Sequence, residues 1–314
     1  MLRSVMRRLL DLLGVYARWA LPAGVFAGIV LPDLAALLRP LLTPVVVGTL
    51  TAALLRLDWA RMGRALRHPG LPVLLAGWQL LLSPALVWAG SAVLGLPPDL
   101  HLLLVLQAAA PPIGSAPVFA LILGLDGALA AITTVLATLL LPVTLTPLVV
   151  LLADTGLRVD LPAFLLRVTL VVIAPFAIAA VLRKAIGRER LRRNDALVGG
   201  LNVLLLVVFA IAVMDGVTAR LLAEPAYIGG LLLASCVAAL LLHAAGYAVF
   251  RWTGARTAFN AAILSGNRNM GLMLVITAGT AGAAFSLYVG IAQIPMYFAP
   301  LLLSPFVRRA AVRG

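Results

Sequence analysis

The sequence predicts an all-α polytopic membrane protein with ten transmembrane helices in two inverted five-helix repeats. Three observations predict it: the composition, the placement of the basic residues, and two interrupted apolar segments at matching positions. Of the 314 residues, 63% are hydrophobic and only 11% are charged, with a mean hydropathy of +1.11. A soluble chain carries about 45–50% apolar and about 25% charged residues. A soluble core of this length could not absorb that apolar surplus, so a soluble enzyme is excluded. The net charge of +13 would suit a nucleic-acid binder. The arginines, however, lie in short segments between apolar runs of about 20 residues, the pattern of membrane-spanning helices. Membrane lipid, not nucleic acid, is the partner those basic loops imply, and no obligatory protein partner is evident. The single cysteine, Cys236, lies within an apolar run, so there is no internal disulfide framework.

In chain order, residues 1–16 place Leu2, Met6, Leu9, Leu10 and Leu13 near one helical face and Arg3, Arg7 and Arg8 off it. That suits an amphipathic segment retained in the membrane interface. Asp11 interrupts the apolar run, and no small-residue cleavage site follows, which disfavours a secretory signal. Ten spans follow, at about 17–32, 38–56, 71–94, 101–123, 127–153, 162–183, 196–215, 226–250, 257–278 and 284–306. Their boundaries are Leu31-Pro32-Asp33, Leu96-Pro97-Pro98-Asp99, the tight turn Gly124-Leu125-Asp126-Gly127, and the charged stretch Arg183 to Asp195. Alternating loops then place eighteen Lys and Arg on one side, from Arg3 through Arg56, the 183–193 stretch and Arg251 to Arg313. Only Arg39, Arg158, Arg167 and Arg220 fall on the other. Basic loops stay inside, so both termini are expected in the cytoplasm and the membrane is expected to be a bacterial inner membrane.

A shift of 153 residues superimposes Pro22 on Pro175, Pro72 on Pro225, Pro142 on Pro295 and Pro147 on Pro300. The same shift carries five spans onto five spans. An odd number per repeat inverts one half against the other, as in many secondary transporters. The expected repeats are residues 17–155 and 156–314.

Two spans are broken at equivalent places. The fourth contains Ala109-Ala110-Pro111-Pro112-Ile113-Gly114-Ser115-Ala116-Pro117, whose prolines take donors from the carbonyls of Gln107, Ala108 and Ile113. The ninth contains Ser265-Gly266-Asn267-Arg268-Asn269-Met270-Gly271, and the repeat shift sets Ser115 on Arg268. Irregular backbone at membrane depth belongs against protein or a water-filled cavity. A matched pair of interrupted helices is the best pointer to a transporter's binding site. Arg268 at mid-span costs roughly 2.5–3.5 kcal/mol on insertion scales. It must find a bound anion, water or carbonyls, so a role with substrate and a purely structural carbonyl clamp are both open. His243, with Tyr247 a turn later, reads as a neutral packed histidine or a proton relay. His68 and His101 lie at loop edges. No metal-ligand, nucleotide-binding or nucleophile motif is present, so no enzyme and no cofactor is expected.

The order of motifs resembles the bile acid:sodium symporter family, within the larger group of bile acid, arsenite and auxin carriers. It runs from the basic loop Arg56 to Arg67, through Trp78-Gln79 and Ala110 to Pro117, to Gly124-Leu125-Asp126-Gly127-Ala128-Leu129. Thr133-Thr134, the helix-ending Leu141-Pro142 and Gly266-Asn267-Arg268-Asn269-Met270-Gly271-Leu272 complete it. The resemblance implies a panel domain of helices one, two, six and seven. It implies a core domain of helices three to five and eight to ten, with the broken fourth and ninth helices crossing beside two sodium sites and the substrate cavity. The family's Ser-Asn pair falls on Ala116 and Pro117, and its fifth-helix Ser and Thr on Ala130 and Thr134. Its ninth-helix glutamate falls on Leu264 and the following glutamine on Arg268. The tenth-helix asparagine falls on Gly290, with Gln293 a turn onward.

These readings set the expected site. Arg268, Asn267, Asn269, Ser115, Gly114 and Gln293 would bind substrate. Gln79, Thr134 and Ser265 are what remains for an ion. Sodium takes several oxygens, usually one a carboxylate, so two-sodium coupling is disfavoured and Arg268 is expected to supply the charge a sodium supplies elsewhere. The expected function is secondary active transport of a small organic anion by alternating access. The alternatives are a non-transporting sensor on the same fold and a sodium-coupled symporter with rearranged ion sites.

Overall fold

A computed structural model describes residues 17–59, 62–63, 69–152 and 160–313. The expected interfacial segment 1–16 lies outside the described residues, as do Arg61, Arg64, Arg67, His68 and Arg158. Among the described residues the chain is all-helical, with no strand. Its helices begin with α1 (Ala17–Val30), α2 (Pro32–Leu38) and α3 (Leu42–Arg56). Next come α4 (Gly70–Gly77), α5 (Ser83–Val93), α6 (Pro98–Ala109), α7 (Ala116–Ile122) and α8 (Gly127–Leu151). After these are α9 (Leu161–Ile186), α10 (Arg188–Arg193), α11 (Asp195–Ala212) and α12 (Val217–Ala223). The last four are α13 (Pro225–Phe250), α14 (Ala255–Gly266), α15 (Met270–Ile276) and α16 (Gly282–Arg313).

Six helical stretches are long and apolar enough to cross a membrane: Pro32–Arg56, Gly70–Val93, Gly127–Leu151, Leu161–Ile186, Asp195–Ala223 and Pro225–Thr253. Of the other four expected spans, the fourth and ninth are split into short helices on either side of their breaks. The first and last contain the shorter apolar helices Trp19–Val30 and Gly282–Phe298. Large apolar side chains such as Leu37, Val93, Ile122, Val143 and Leu222 lie on the outer surface. Lipid tolerates that surface where water would not.

Three local expectations needed revision. Leu31-Pro32-Asp33 does not separate two spans by a loop. Pro32 sits in the first turn of α2, where its missing N–H costs nothing, and the chain runs on through a tight turn at Arg39–Leu41 into α3. Leu141-Pro142 does not end a helix either. Pro142 and Pro147 both lie inside α8, which runs on past them to Leu151. The basic stretch after Arg183 is partly helical, because Arg192 and Arg193 both reach Glu189 along α10. Those two arginines hold the Glu189 carboxyl below the ordinary carboxylate range.

Other signals were read as they fold. Asp126 caps α8, accepting from the amides of Ala128 and Leu129 at 2.9 and 3.0 Å. Gly124, at φ 72°, makes the turn before it, a conformation that suits glycine. Helices α1, α3, α9 and α11 pack on one another. So do α4, α5, α6 and α8, and likewise α13, α14 and α16. One core cluster joins all three groups through Val46, Val105, Leu141, Val168, Phe209, Leu272 and Tyr288. A second, around Trp78, Ala116, Leu129, Phe250 and Leu264, lies between the second and third groups. The two breaks sit where these groups meet.

Candidate functional site

The two breaks hydrogen-bond to each other through their backbones. Ile113 N–H donates to the carbonyl of Asn267 at 2.9 Å, and Asn269 N–H donates to that of Pro111 at 2.7 Å. Pro112 and Arg268 thus form an isolated antiparallel bridge. Each break closes on the other: the Asn267 and Pro111 carbonyls take the Ile113 and Asn269 amides, which have no helical acceptor. The Asn269 side chain also caps α15, accepting from Leu272 N–H at 3.0 Å.

The carbonyls expected to be orphaned are all accounted for. Gln107 accepts from Ala110 N–H and Ile113 from Ala116 N–H, both within the first break's own turns. Ala108 accepts from the Ser83 hydroxyl at 3.3 Å. Arg268 therefore serves other acceptors. Its Nε donates to the Ser265 carbonyl at 2.6 Å, and its Nη1 to the carbonyls of Gln79 and Ala110 at 3.1 and 2.8 Å. Its Nη2 donates to the Ser83 hydroxyl at 2.6 Å. The side chain is 1% exposed. One guanidinium thereby ties together the third span, the first break and the second.

A π-turn explains why Gln79 has a carbonyl to give. Residues Trp78–Leu82 take the wider helical spacing, in which Gln79 would accept from residue 84. That residue is Pro84, which has no N–H. Neither Ser83 nor Pro84 entered the expected site: a proline there signals a freed carbonyl four residues back, at Leu80, and only the π-turn moves it to Gln79.

Other polar groups support the crossing. The Ser265 hydroxyl accepts from Trp78 Nε1 at 2.9 Å and from Gln79 Nε2 at 3.2 Å, and donates to the Ala261 carbonyl at 2.6 Å. Asn267 Nδ2 donates to the Ile263 carbonyl at 3.0 Å and to His243 Nε2 at 3.2 Å. His243 Nδ1 donates to the Ala239 carbonyl at 2.7 Å, which leaves Nε2 as the acceptor toward Asn267. His243 packs so closely that a Cβ on Gly266 would lie 1.8 Å from its ring. The second break needs glycine there because the imidazole fills the space.

A cavity opens beside the crossing, between α3 and α11 on one side and the breaks and α16 on the other. Its inner end is lined by Thr49, Leu50, Gly114, Ser115, Asn202, Phe209, Asn269, Gln293 and Tyr297. A recess lined by Gly114, Pro117, Thr134 and Thr138 adjoins it. Toward Arg56 and Asp195 it widens to about 300 Å³, still sharing Gly114, Ser115 and Asn202. Of the expected residues, Gly114, Ser115, Asn269 and Gln293 meet on this cavity and Thr134 on its recess. Arg268, Asn267, Ser265 and Gln79 do not line it; they lie within the crossing. Gln293 Nε2 donates to the Val289 carbonyl at 3.0 Å, while its Oε1 has no partner, and Asn202 Oδ1 is likewise unpartnered.

Residues 43–224 match the family model of the sodium bile acid symporter family, more than half of the chain. The chain belongs to that family. The match takes in the first break and stops before the second. No curated protein matches the chain. Membership and the apolar helices together make this an integral membrane protein.

Proposed function

We propose that the chain is a secondary active transporter of a small organic anion, working by alternating access and without sodium at the crossing. In this reading ten helices form two inverted repeats. A panel of α1, α3, α9 and α11 holds still while the core carries the substrate past it. Both termini lie in the cytoplasm, so the cavity mouth at Arg56 and Asp195 opens inward. Gly114, Ser115, Asn269 and Gln293 bind the substrate from the core side.

The observation that carries the sodium-free part is the Arg268 cradle. Two breaks and a π-turn aim three carbonyls and a hydroxyl at one point, and a guanidinium fills it. No carboxylate joins that set, because Leu264 stands where the family's glutamate would. A sodium ion does not fit beside a fixed positive charge. At ~4 Å and an effective dielectric of ~20 the repulsion is about 4 kcal/mol, close to a thousandfold in affinity. Arg268 is thus a tethered cation that keeps the crossing assembled through the transport cycle.

The experiment is counterflow in proteoliposomes. Vesicles preloaded with each of a panel of carboxylates and steroid conjugates should accumulate the labelled form of the true substrate above equilibrium. A protein that binds members of the panel and exchanges none of them is a sensor on a carrier fold.

A further inference from the structure

Helices α5 and α13 both pack on α6, and a second cavity, of about 570 Å³, runs between them. Leu100 and Leu104 of α6 form its floor, with Gly90 of α5 and Gly230, Ala234 and Ala238 of α13 on its walls. From Gly230 to Ala245 it follows α13 for about 22 Å, at ~1.5 Å per residue. Both walls belong to membrane-spanning stretches, and Leu86, Leu233 and Leu241 along its edges face outward. The cavity therefore opens sideways at membrane depth. It has no place for water, which needs about two to four polar partners when buried. The polar side chains on its lining are Trp78, Ser83 and Ser91, and each is already spent. Trp78 Nε1 donates to the Ser265 hydroxyl, and Ser83 Oγ accepts from Arg268 and donates to the Ala108 carbonyl. Ser91 Oγ bonds the Val87 carbonyl and His101. What fills such a space is hydrocarbon. A methylene takes about the room of a water molecule, ~30 Å³, so the cavity holds roughly nineteen of them. That is one long acyl chain. A helix of a second copy, about 10–12 Å across, displaces on the order of 2,000 Å³ over the same length and does not fit.

We propose that this cavity is a lipid site, holding one acyl chain of a membrane phospholipid between the third and eighth spans. It shares no lining residue with the cavity beside the breaks. The chain packs against Trp78 and Ser83, the two side chains through which the third span holds Ser265 and Arg268. An occupied site thus presses the third span onto the crossing, since an empty one leaves those side chains without contacts on one side. Gly90 and Gly230 keep the space open. A Cβ at either meets no protein atom within 4 Å, so a larger side chain fills the cavity without displacing protein.

The test uses phosphatidylcholine brominated on its acyl chains, whose bromines quench a tryptophan they touch. The full chain keeps Trp78, carries Trp19→Phe, Trp59→Phe, Trp88→Phe and Trp252→Phe, and is reconstituted in brominated or ordinary bilayers. Trp78 is only 3% exposed, so it meets a bromine through the cavity and not across the outer surface. In the brominated bilayer it should lose most of its emission. Gly90→Phe and Gly230→Phe, which plug the cavity, should restore that emission and leave the melting temperature unchanged or raised. A phospholipid with a photoactivatable diazirine on its chain gives a second reading on the chain with all its tryptophans. Its adduct at Trp78 should form in the wild type and disappear in the plugged variants. Emission that ignores bromine, or equal quenching and equal labelling in wild-type and plugged chains, would overturn the proposal. So would quenching by an added brominated fatty acid and not by the phospholipid. Cross-linking between two Gly230→Cys chains in the bilayer would overturn it too, by placing a second copy on this face.

Discussion

Two arginines within one molecule are held in opposite ways. Arg268 is sealed at the crossing, with carbonyls from three segments and one hydroxyl spending its donors. Arg56 stands at the cavity mouth, about a third exposed and paired with a carboxylate that is half exposed. The first is neutralised by dipoles alone, so its charge is available to hold backbone in place and repel cations. The second is balanced by a half-exposed, hydrated carboxylate. The difference teaches that a buried arginine can be spent wholly on backbone and a hydroxyl while a part-exposed one keeps a solvated carboxylate partner.

Breaking the crossing should have the largest effect. Arg268→Gln leaves at least two of its three carbonyls and the Ser83 hydroxyl without their donor, and each buried unsatisfied group costs about 1–3 kcal/mol. The expected loss is upwards of about 3 kcal/mol, seen as a drop in folded, detergent-extracted protein and in melting temperature. A variant that folds normally but takes up anion poorly would move Arg268 to the cavity's side of the comparison.

Gly266→Ala comes next. The new methyl must drive out the His243 ring, and overpacking of this kind costs about 1–3 kcal/mol. The double variant His243→Ala/Gly266→Ala should be less damaged than the two single losses predict when added, because both act on one space. Additive losses would show that His243 and the break are not coupled.

Ser83→Ala removes one acceptor of Arg268 and the donor to Ala108, for about 1–2 kcal/mol, measured by chemical or thermal unfolding in micelles. Arg39→Gln should matter least. Its pair with Asp215 is solvated on the arginine's side, and such pairs are worth about 0–1 kcal/mol. A large loss there would show that solvation does not separate structural from dispensable charges in this protein.

Much of the crossing could be read from residues alone. Pro111, Pro112 and Gly266-Asn267-Arg268-Asn269 mark broken helices whatever the tertiary fold, because proline removes donors and glycine and asparagine are poor helix formers. The 153-residue shift then sets one break on the other. What could not be read is which acceptor each donor takes. The carbonyls that prolines free in the first break are closed by local turns and Ser83, so Arg268 takes others. Its real acceptor on the third span exists only because a π-turn moves the register onto Pro84, and register is not visible in composition. The pairing of Arg56 with Asp195 was likewise hidden. Arg56 looks like one basic loop residue among several until α3 and α11 are placed side by side.

The central claim is that a tethered guanidinium stands where a sodium would otherwise be bound, and one measurement tests it most directly. Uptake of a counterflow-active anion is followed in proteoliposomes while external sodium is replaced stepwise by choline at constant ionic strength. The account predicts the same initial rate and the same half-saturation throughout. A rate that rises steeply with external sodium would contradict it.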